Sequence, residues 1–232
     1  VRAVADICEA ERIWLHVDAA YAGVAAMVPG MAQILDGCDR ADSLVVNPHK
    51  WLFTPFDLSA FYCRRMDAVR ATFALTPEYL ETAEPAGVRN LMDTGIQLGR
   101  RFRALKLWMV LRHFGADGIR ARLAEHMRLA GLFADWIDAH PDFERLAPVP
   151  FAVVCFRAKP QGAARPGPSL DEVNSALLDS VNASGEVFLS HTKLDGRFTL
   201  RLAIGHLRTT EHHVARAWEL LQEGLGRIVA RR

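Results

Sequence analysis

The stretch Ser43-Leu44-Val45-Val46-Asn47-Pro48-His49-Lys50-Trp51 constrains this chain more than any other. Its first four residues read as a short buried strand, and Pro48 ends that strand by fixing φ and removing a backbone donor. A histidine, a lysine and a tryptophan then stand at a strand end instead of on a solvated helix face. An upstream run, Ile13-Trp14-Leu15-His16-Val17, stops in the same way at Asp18-Ala19-Ala20-Tyr21-Ala22-Gly23, where small residues leave room for something flat. Lys50 lies 32 positions after Asp18, enough for a turn, a short helix near Met31–Leu35 and a return to the sheet. Ligands of open α/β sheets collect outside the carboxyl ends of strands, so an acid and an amine are expected at one rim.

That pair has a specific chemical meaning. A lysine amine forms a Schiff base with a carbonyl cofactor when its surroundings position it or lower its proton affinity. A carboxylate can keep a pyridine nitrogen protonated. Together these are the two groups that pyridoxal phosphate needs from a protein.

Four blocks carry a resemblance. They are His16–Gly23, Asn47–Trp51, Leu98–Trp108, and Gly196–Ile204 with Leu207-Arg208-Thr209-Thr210 after it. In this order they resemble the group II pyridoxal-phosphate-dependent decarboxylases, nearest the aromatic-L-amino-acid decarboxylase type. The resemblance implies an α/β chain with the type I, aspartate-aminotransferase-like fold. Residues 1–140 would be the carboxyl-terminal part of the cofactor-binding large domain, with a mobile catalytic loop over 75–97, and 141–232 a small α+β domain. Family members are longer, and this chain opens with Val1 inside a helical pattern at Val4–Arg12. It is therefore expected to be the carboxyl-terminal portion of such an enzyme, without the phosphate-binding loop and ring-stacking side chain, and inactive alone.

The resemblance also assigns roles. Lys50 would carry the pyridoxal 5'-phosphate aldehyde, Asp18 would hold the ring nitrogen protonated, and Ala20 would pack under the ring. Asn47 and His49 would contact the phosphate or position the lysine, and Tyr79 would return a proton to the α-carbon as a general acid. The expected reaction is decarboxylation of an aromatic L-amino acid to the amine and carbon dioxide. Trp51 weighs toward aromatic substrates and Tyr79 against the aldehyde-forming relatives, in which phenylalanine replaces that tyrosine. An aromatic aldehyde synthase, a decarboxylase of a non-aromatic amino acid and a non-catalytic dimer-forming remnant are the alternatives. The implied partners are a small amino-acid substrate and a second copy sharing the active site, in the cytoplasm.

Composition narrows the rest. Half of the 232 residues are hydrophobic, and 28 basic side chains face 27 acidic ones, which gives no electrostatic bias toward nucleic acid or a membrane surface. No apolar run approaches the roughly 20 residues that span a bilayer. Cys8, Cys38, Cys63 and Cys155 lack disulfide or metal spacing and read as reduced thiols. The nine histidines are scattered, and His212-His213 are adjacent, not paired one helical turn apart, so no metal site is expected.

Along the chain, strands are predicted at Ile13–Val17, Ser43–Val46 and Leu58–Cys63, with a helix at Met66–Phe73, as βα units on a mostly parallel sheet. Helices follow at Arg100–His113, with an apolar face of Phe102, Leu105, Leu107, Trp108 and Leu111, and at Asp117–Ala139 beyond Gly115. Arg100, Arg101 and Arg103 sit where cations oppose the helix dipole, which calls for an anionic partner or a structural ion pair. The last third reads as strands Phe151–Phe156, Val187–Leu189 and Phe198–Ile204 with helices Leu170–Asn182 and Thr210–Val229. Ser169 and Glu172 form a capping box.

Overall fold

The first helix, α1 (Arg2–Glu11), stops because Arg12 adopts a left-handed conformation, φ 54°, and Ile13 N–H closes onto Cys8 O at 2.8 Å. This turn throws the chain into strand β1 (His16–Asp18). Ala5 of the helix packs with Leu15 and Ala41, with Cys8 and Val17 around them. Asp42 fixes the entry to the strand, its Oδ2 accepting the Leu15 N–H at 2.8 Å. Three short 3-10 turns, Ala22–Met27, Ala32–Leu35 and Cys38–Arg40, connect β1 to β2 (Ser43–Val46). The second of them is the short helix expected there.

The computed structural model describes residues 1–74, 90–161 and 169–230. They form two compact units, Val1–Asp117 and Gly118–Arg232. In the first, β1 and β2 run parallel in the register His16↔Ser43, Val17↔Leu44, Asp18↔Val45. Past the one-turn helix α2 (Pro48–Trp51), β3 (Ala60–Cys63) returns antiparallel to β2. The sheet order is β1-β2-β3, so its parallel character is confined to one pair. Strand β2 is less buried than an apolar run suggests: Ser43 is buried, and Leu44 to Val46 are half-buried. Helix α3 (Met66–Phe73) falls where the periodicity puts it.

Helix α4 (Arg103–Ala139) is two helical stretches meeting at Gly115, whose φ of 63° and ψ of 174° break the helical path. The break lies at the predicted glycine, but the first stretch starts three residues later than predicted. Its apolar face is open in this chain, with Phe102, Leu105, Trp108 and Leu111 all exposed. The second stretch buries Ile119, Leu123, His126, Ala130, Phe133 and Ile137, a helical stripe that belongs to the second unit's core.

That unit is built on an antiparallel sheet in the order β4 (Phe143–Arg145), β5 (Val153–Ala158), β7 (Arg197–Ala203), β6 (Ser190–Leu194). Phe133 meets Phe156 edge-on at 5.2 Å and Trp218 at 5.9 Å, and Phe143 meets Trp218 at 5.0 Å, an aromatic cluster against the sheet. Helix α5 (Leu170–Asn182) carries the predicted capping box: Ser169 Oγ accepts the Glu172 N–H, and Glu172 accepts the Ser169 N–H. Helix α6 (Glu211–Ala230) packs on α5, where Gly224 lies against Leu177. Strand β6 follows the predicted Val187–Leu189 instead of coinciding with it, since its polar alternation of His191, Thr192 and Lys193 suits an edge strand. Strand β4 escapes prediction because only Phe143 of its three residues is buried.

Candidate active site

The parallel pair β1–β2 delivers two chemistry-bearing segments to one end of the sheet. Asp18 is the last residue of β1 and pairs with Val45, two positions before Asn47. The backbones stay knitted past the strands: Ala19 N–H donates to Val45 O at 3.0 Å, and Asn47 N–H donates to Ala20 O at 3.0 Å. One Asp18 carboxylate oxygen accepts the Ala20 N–H at 3.0 Å, which fixes the side chain's direction. Gly23 lets the turn close, its N–H donating to Ala19 O at 3.0 Å, and a Cβ there would stand 2.8 Å from that of Ala19.

Pro48 opens the single turn of α2 and places His49 and Lys50 directly after β2. Lys50 N–H donates to Asn47 O at 2.9 Å. The Lys50 side chain is exposed, and no acceptor holds its amine among the described residues. Asp18 is likewise exposed, and Ala20 is buried. Asn47 Oδ1 is buried without a hydrogen-bond partner among the described residues, the condition of an acceptor reserved for another group. His49 is held through Nδ1, which lies 3.0 Å from Leu58 N and 2.5 Å from Leu58 O, so either tautomer finds a partner. Phe56 lies edge-on to the ring at 4.9 Å.

Trp51 is fully buried and stacks on Tyr21, ring centroids 4.9 Å apart and planes 16° from parallel. Its ring is therefore closed to solvent in this chain. Its bearing on the site is to join the turn after Asp18 to the helix that carries Lys50. The structure thus brings Asp18, Ala20, Asn47, His49 and Lys50 to one sheet end, while Tyr79 lies outside the described residues.

Sequence reasoning missed three supports: the Tyr21 stack, the close packing at Gly23, and Asp57. Arg101 donates to Asp57 Oδ1 at 2.5 Å and Arg103 to Oδ2 at 3.2 Å, so the carboxylate implied by the arginine cluster is Asp57. The Arg103 guanidinium, bonded to it, holds the Asp57 carboxyl below the usual carboxylate range. The arginines signalled a carboxylate but not which one, because the contact spans 44 to 46 positions.

Residues 1–159 match the pyridoxal-dependent decarboxylase conserved domain. The chain belongs to this family. It is 38% identical over 223 residues to a tryptophan decarboxylase of Camptotheca acuminata, covering 95% of this chain and 45% of that protein. It is 42% identical over 225 residues to the phenylacetaldehyde synthase of Arabidopsis thaliana, again covering 95% of this chain and 45% of that protein. The crystal structure of Oryza sativa TDC with PLP and tryptamine superposes with a TM-score of 0.90 at 39% identity, covering 98% of this chain and 47% of that one. The chain thus spans about half the length of the curated relatives it matches, and its fold is that of the type I decarboxylases.

For a pyridoxal-dependent decarboxylase the donor set fits the cofactor. Asp18 has a second carboxylate oxygen that would suit a ring nitrogen, Lys50 an amine that would suit an aldehyde, and Asn47 and His49 polar atoms in the same turn that would suit the rest of the group. No group of His, Cys, Asp and Glu among the described residues could hold a metal ion, and no described helix is long and apolar enough to cross a membrane.

Proposed function

We propose that the full-length protein carrying these residues removes the α-carboxyl group of an aromatic L-amino acid, releasing the amine and carbon dioxide with pyridoxal 5'-phosphate held by Lys50. The observation that carries this reading is the placement of Asp18 and Lys50 at the ends of adjacent parallel strands, tied by Ala19–Val45 and Asn47–Ala20 hydrogen bonds. When bound, the cofactor's protonated ring supplies the sink for the electron pair left behind by carbon dioxide. The chain's own residues do the rest. Asp18 would serve the ring nitrogen through its carboxylate, whose direction the Ala20 N–H fixes. Asn47 and His49 orient what Lys50 holds. Tyr79 donates the proton that completes the amine.

The same reading makes residues 1–140 part of a cofactor domain and 141–232 a small domain, with two copies sharing the active site. It places the enzyme in the cytoplasm, in keeping with four cysteines that form no disulfide. A second reading, oxidative conversion to an aromatic aldehyde, is favoured by the 42% identity to phenylacetaldehyde synthase. Tyr79 argues for simple decarboxylation.

Full-length protein purified with the cofactor and given a panel of aromatic amino acids decides between them. Amine and carbon dioxide without peroxide support the first reading, and aldehyde with peroxide supports the second. Lys50→Ala is expected to lose the visible cofactor absorbance and all turnover; normal turnover in that variant refutes the assignment of Lys50.

A further inference from the structure

We infer that Asp57 is a positioning residue for the lysine-bearing turn, acting through His49. The inference deepens the proposed function, since it concerns the same site.

His49 precedes Lys50, and its imidazole Nδ1 is anchored to Leu58, whose N–H and carbonyl both meet it. Leu58 belongs to an irregular segment between α2 and β3, and the residue on its other side, Phe56, touches the same ring. The segment Phe56-Asp57-Leu58 therefore grips His49 from two sides. Leu58 is buried at 5% exposure, whereas Phe56 is 83% exposed, so packing holds only the Leu58 end of the segment. The rest is fixed by the residue between. Asp57 receives Arg101 on one carboxylate oxygen and Arg103 on the other, the latter through both Nε and Nη2 at 3.3 and 3.2 Å. Both Arg103 nitrogens converge on Oδ2 while Arg101 takes Oδ1, so the two carboxylate oxygens are held by two different arginines through charge-assisted hydrogen bonds. Arg103 opens the first helical stretch of α4, ahead of the break at Gly115, so Asp57 ties the segment to that stretch. The chain of contacts runs from α4 through Asp57 to Leu58, from Leu58 to His49 Nδ1, and along one peptide bond to Lys50.

Two consequences follow for the imidazole. With Nδ1 committed to Leu58, Nε2 is the nitrogen that can meet a cofactor. Its position is then set by the ion pairs at Asp57. Without them the segment is left with the burial of Leu58, and the ring's orientation loosens.

The experiment is a double-mutant cycle in the full-length protein with Asp57→Asn, His49→Ala and the double variant. One readout is the pyridoxal phosphate dissociation constant of the cofactor-free protein, and the other is the exchange rate of the Leu58 amide in that same cofactor-free state. Asp57→Asn is expected to weaken cofactor binding roughly tenfold when His49 is present and to add nothing when His49 is alanine, the signature of residues in one network. The Leu58 amide is expected to exchange roughly tenfold faster in Asp57→Asn, as local opening becomes easier. Arg103→Gln, which breaks the same pair from the helix side, must reproduce both effects, and it serves as the test if Asp57→Asn fails to fold. Equal losses of binding with and without His49 overturn the inference, because Asp57 would then act on the fold alone. Unchanged Leu58 exchange overturns it too. Should the wild-type protein bind no pyridoxal phosphate, the proposed function fails, and the exchange comparison still decides whether Asp57 holds the segment.

Discussion

Gly23→Ala is expected to destabilise the protein although alanine suits this backbone, because the added methyl has nowhere to go. A Cβ at Gly23 would stand 2.8 Å from the Cβ of Ala19 and 3.4 Å from a Val46 methyl. Non-bonded carbons rest about 3.5–4.0 Å apart, so roughly 1 Å must be found by moving backbone. Neither neighbour is the flexible end of a long side chain. Ala19 is bonded at both backbone groups, to Val45 O and to Gly23 N–H, and Val46 lies in β2. Overpacking of this kind costs about 1–3 kcal/mol. Replacing glycine returns about 0.4–1 kcal/mol by restricting the unfolded chain. The net expectation is a loss of about 1–2 kcal/mol, read as a lower urea midpoint at unchanged m-value in cofactor-free full-length protein. Gly131→Ala is the control. It sits in α4 with nothing within 4 Å of the added Cβ, so it is expected to stabilise by about 0.4–1 kcal/mol. Because Ala19 follows Asp18, Gly23→Ala should also weaken cofactor binding, whereas Gly131→Ala should not. If Gly23→Ala is as stable as Gly131→Ala, the turn after Asp18 is softer than the contacts imply and the reasoning fails.

Trp51→Ala removes a fully buried ring stacked on Tyr21 and is expected to cost about 3–5 kcal/mol by thermal unfolding, with Trp51→Phe recovering most of it. Asn174→Ala strips hydrogen bonds from Ala158 N–H, Ala158 O and Leu170 O at a site with no exposure, and a loss of about 2–3 kcal/mol in urea unfolding is expected. His126 is 2% exposed, and burial pulls its pKa below 6.5, so the unfolded chain binds the extra proton first. Stability is therefore complete above about pH 6.5 and falls as pH drops toward the lowered folded value, by at most about 1.4 kcal/mol per pH unit from this group. Replacing His126 with glutamine should flatten that limb of the stability profile, and an unchanged slope would show that another group causes it.

How much of this was legible beforehand follows from the reach of each signal. Strand β2, helix α3, the Ser169–Glu172 capping box and the break at Gly115 are local, set by residues within one turn of one another, and the sequence specified them. Asp18, Ala20, Asn47, His49 and Lys50 could be named because two apolar runs end where polar chemistry begins, and four blocks in order tied them to a family. Strand β6 was misplaced because an edge strand needs no apolar run, and its pairing with β7 is what defines it.

The tertiary structure alone decided what the named residues touch. The pairing of Asp18 with Val45 came from the parallel register, and the antiparallel return of β3 corrected the expectation of a mostly parallel sheet. Trp51 shows the difference most clearly: the sequence makes it a family mark beside the lysine, and only burial against Tyr21 makes it a structural support. Asp57 shows it for charge. Three arginines within four positions call for an anion, but electrostatic attraction carries no sequence address, and it took the folded chain to bring Asp57 within 3.2 Å of Arg103. Local order is written in short-range sterics and hydrogen bonds; partners are chosen by whichever surfaces the completed fold brings together.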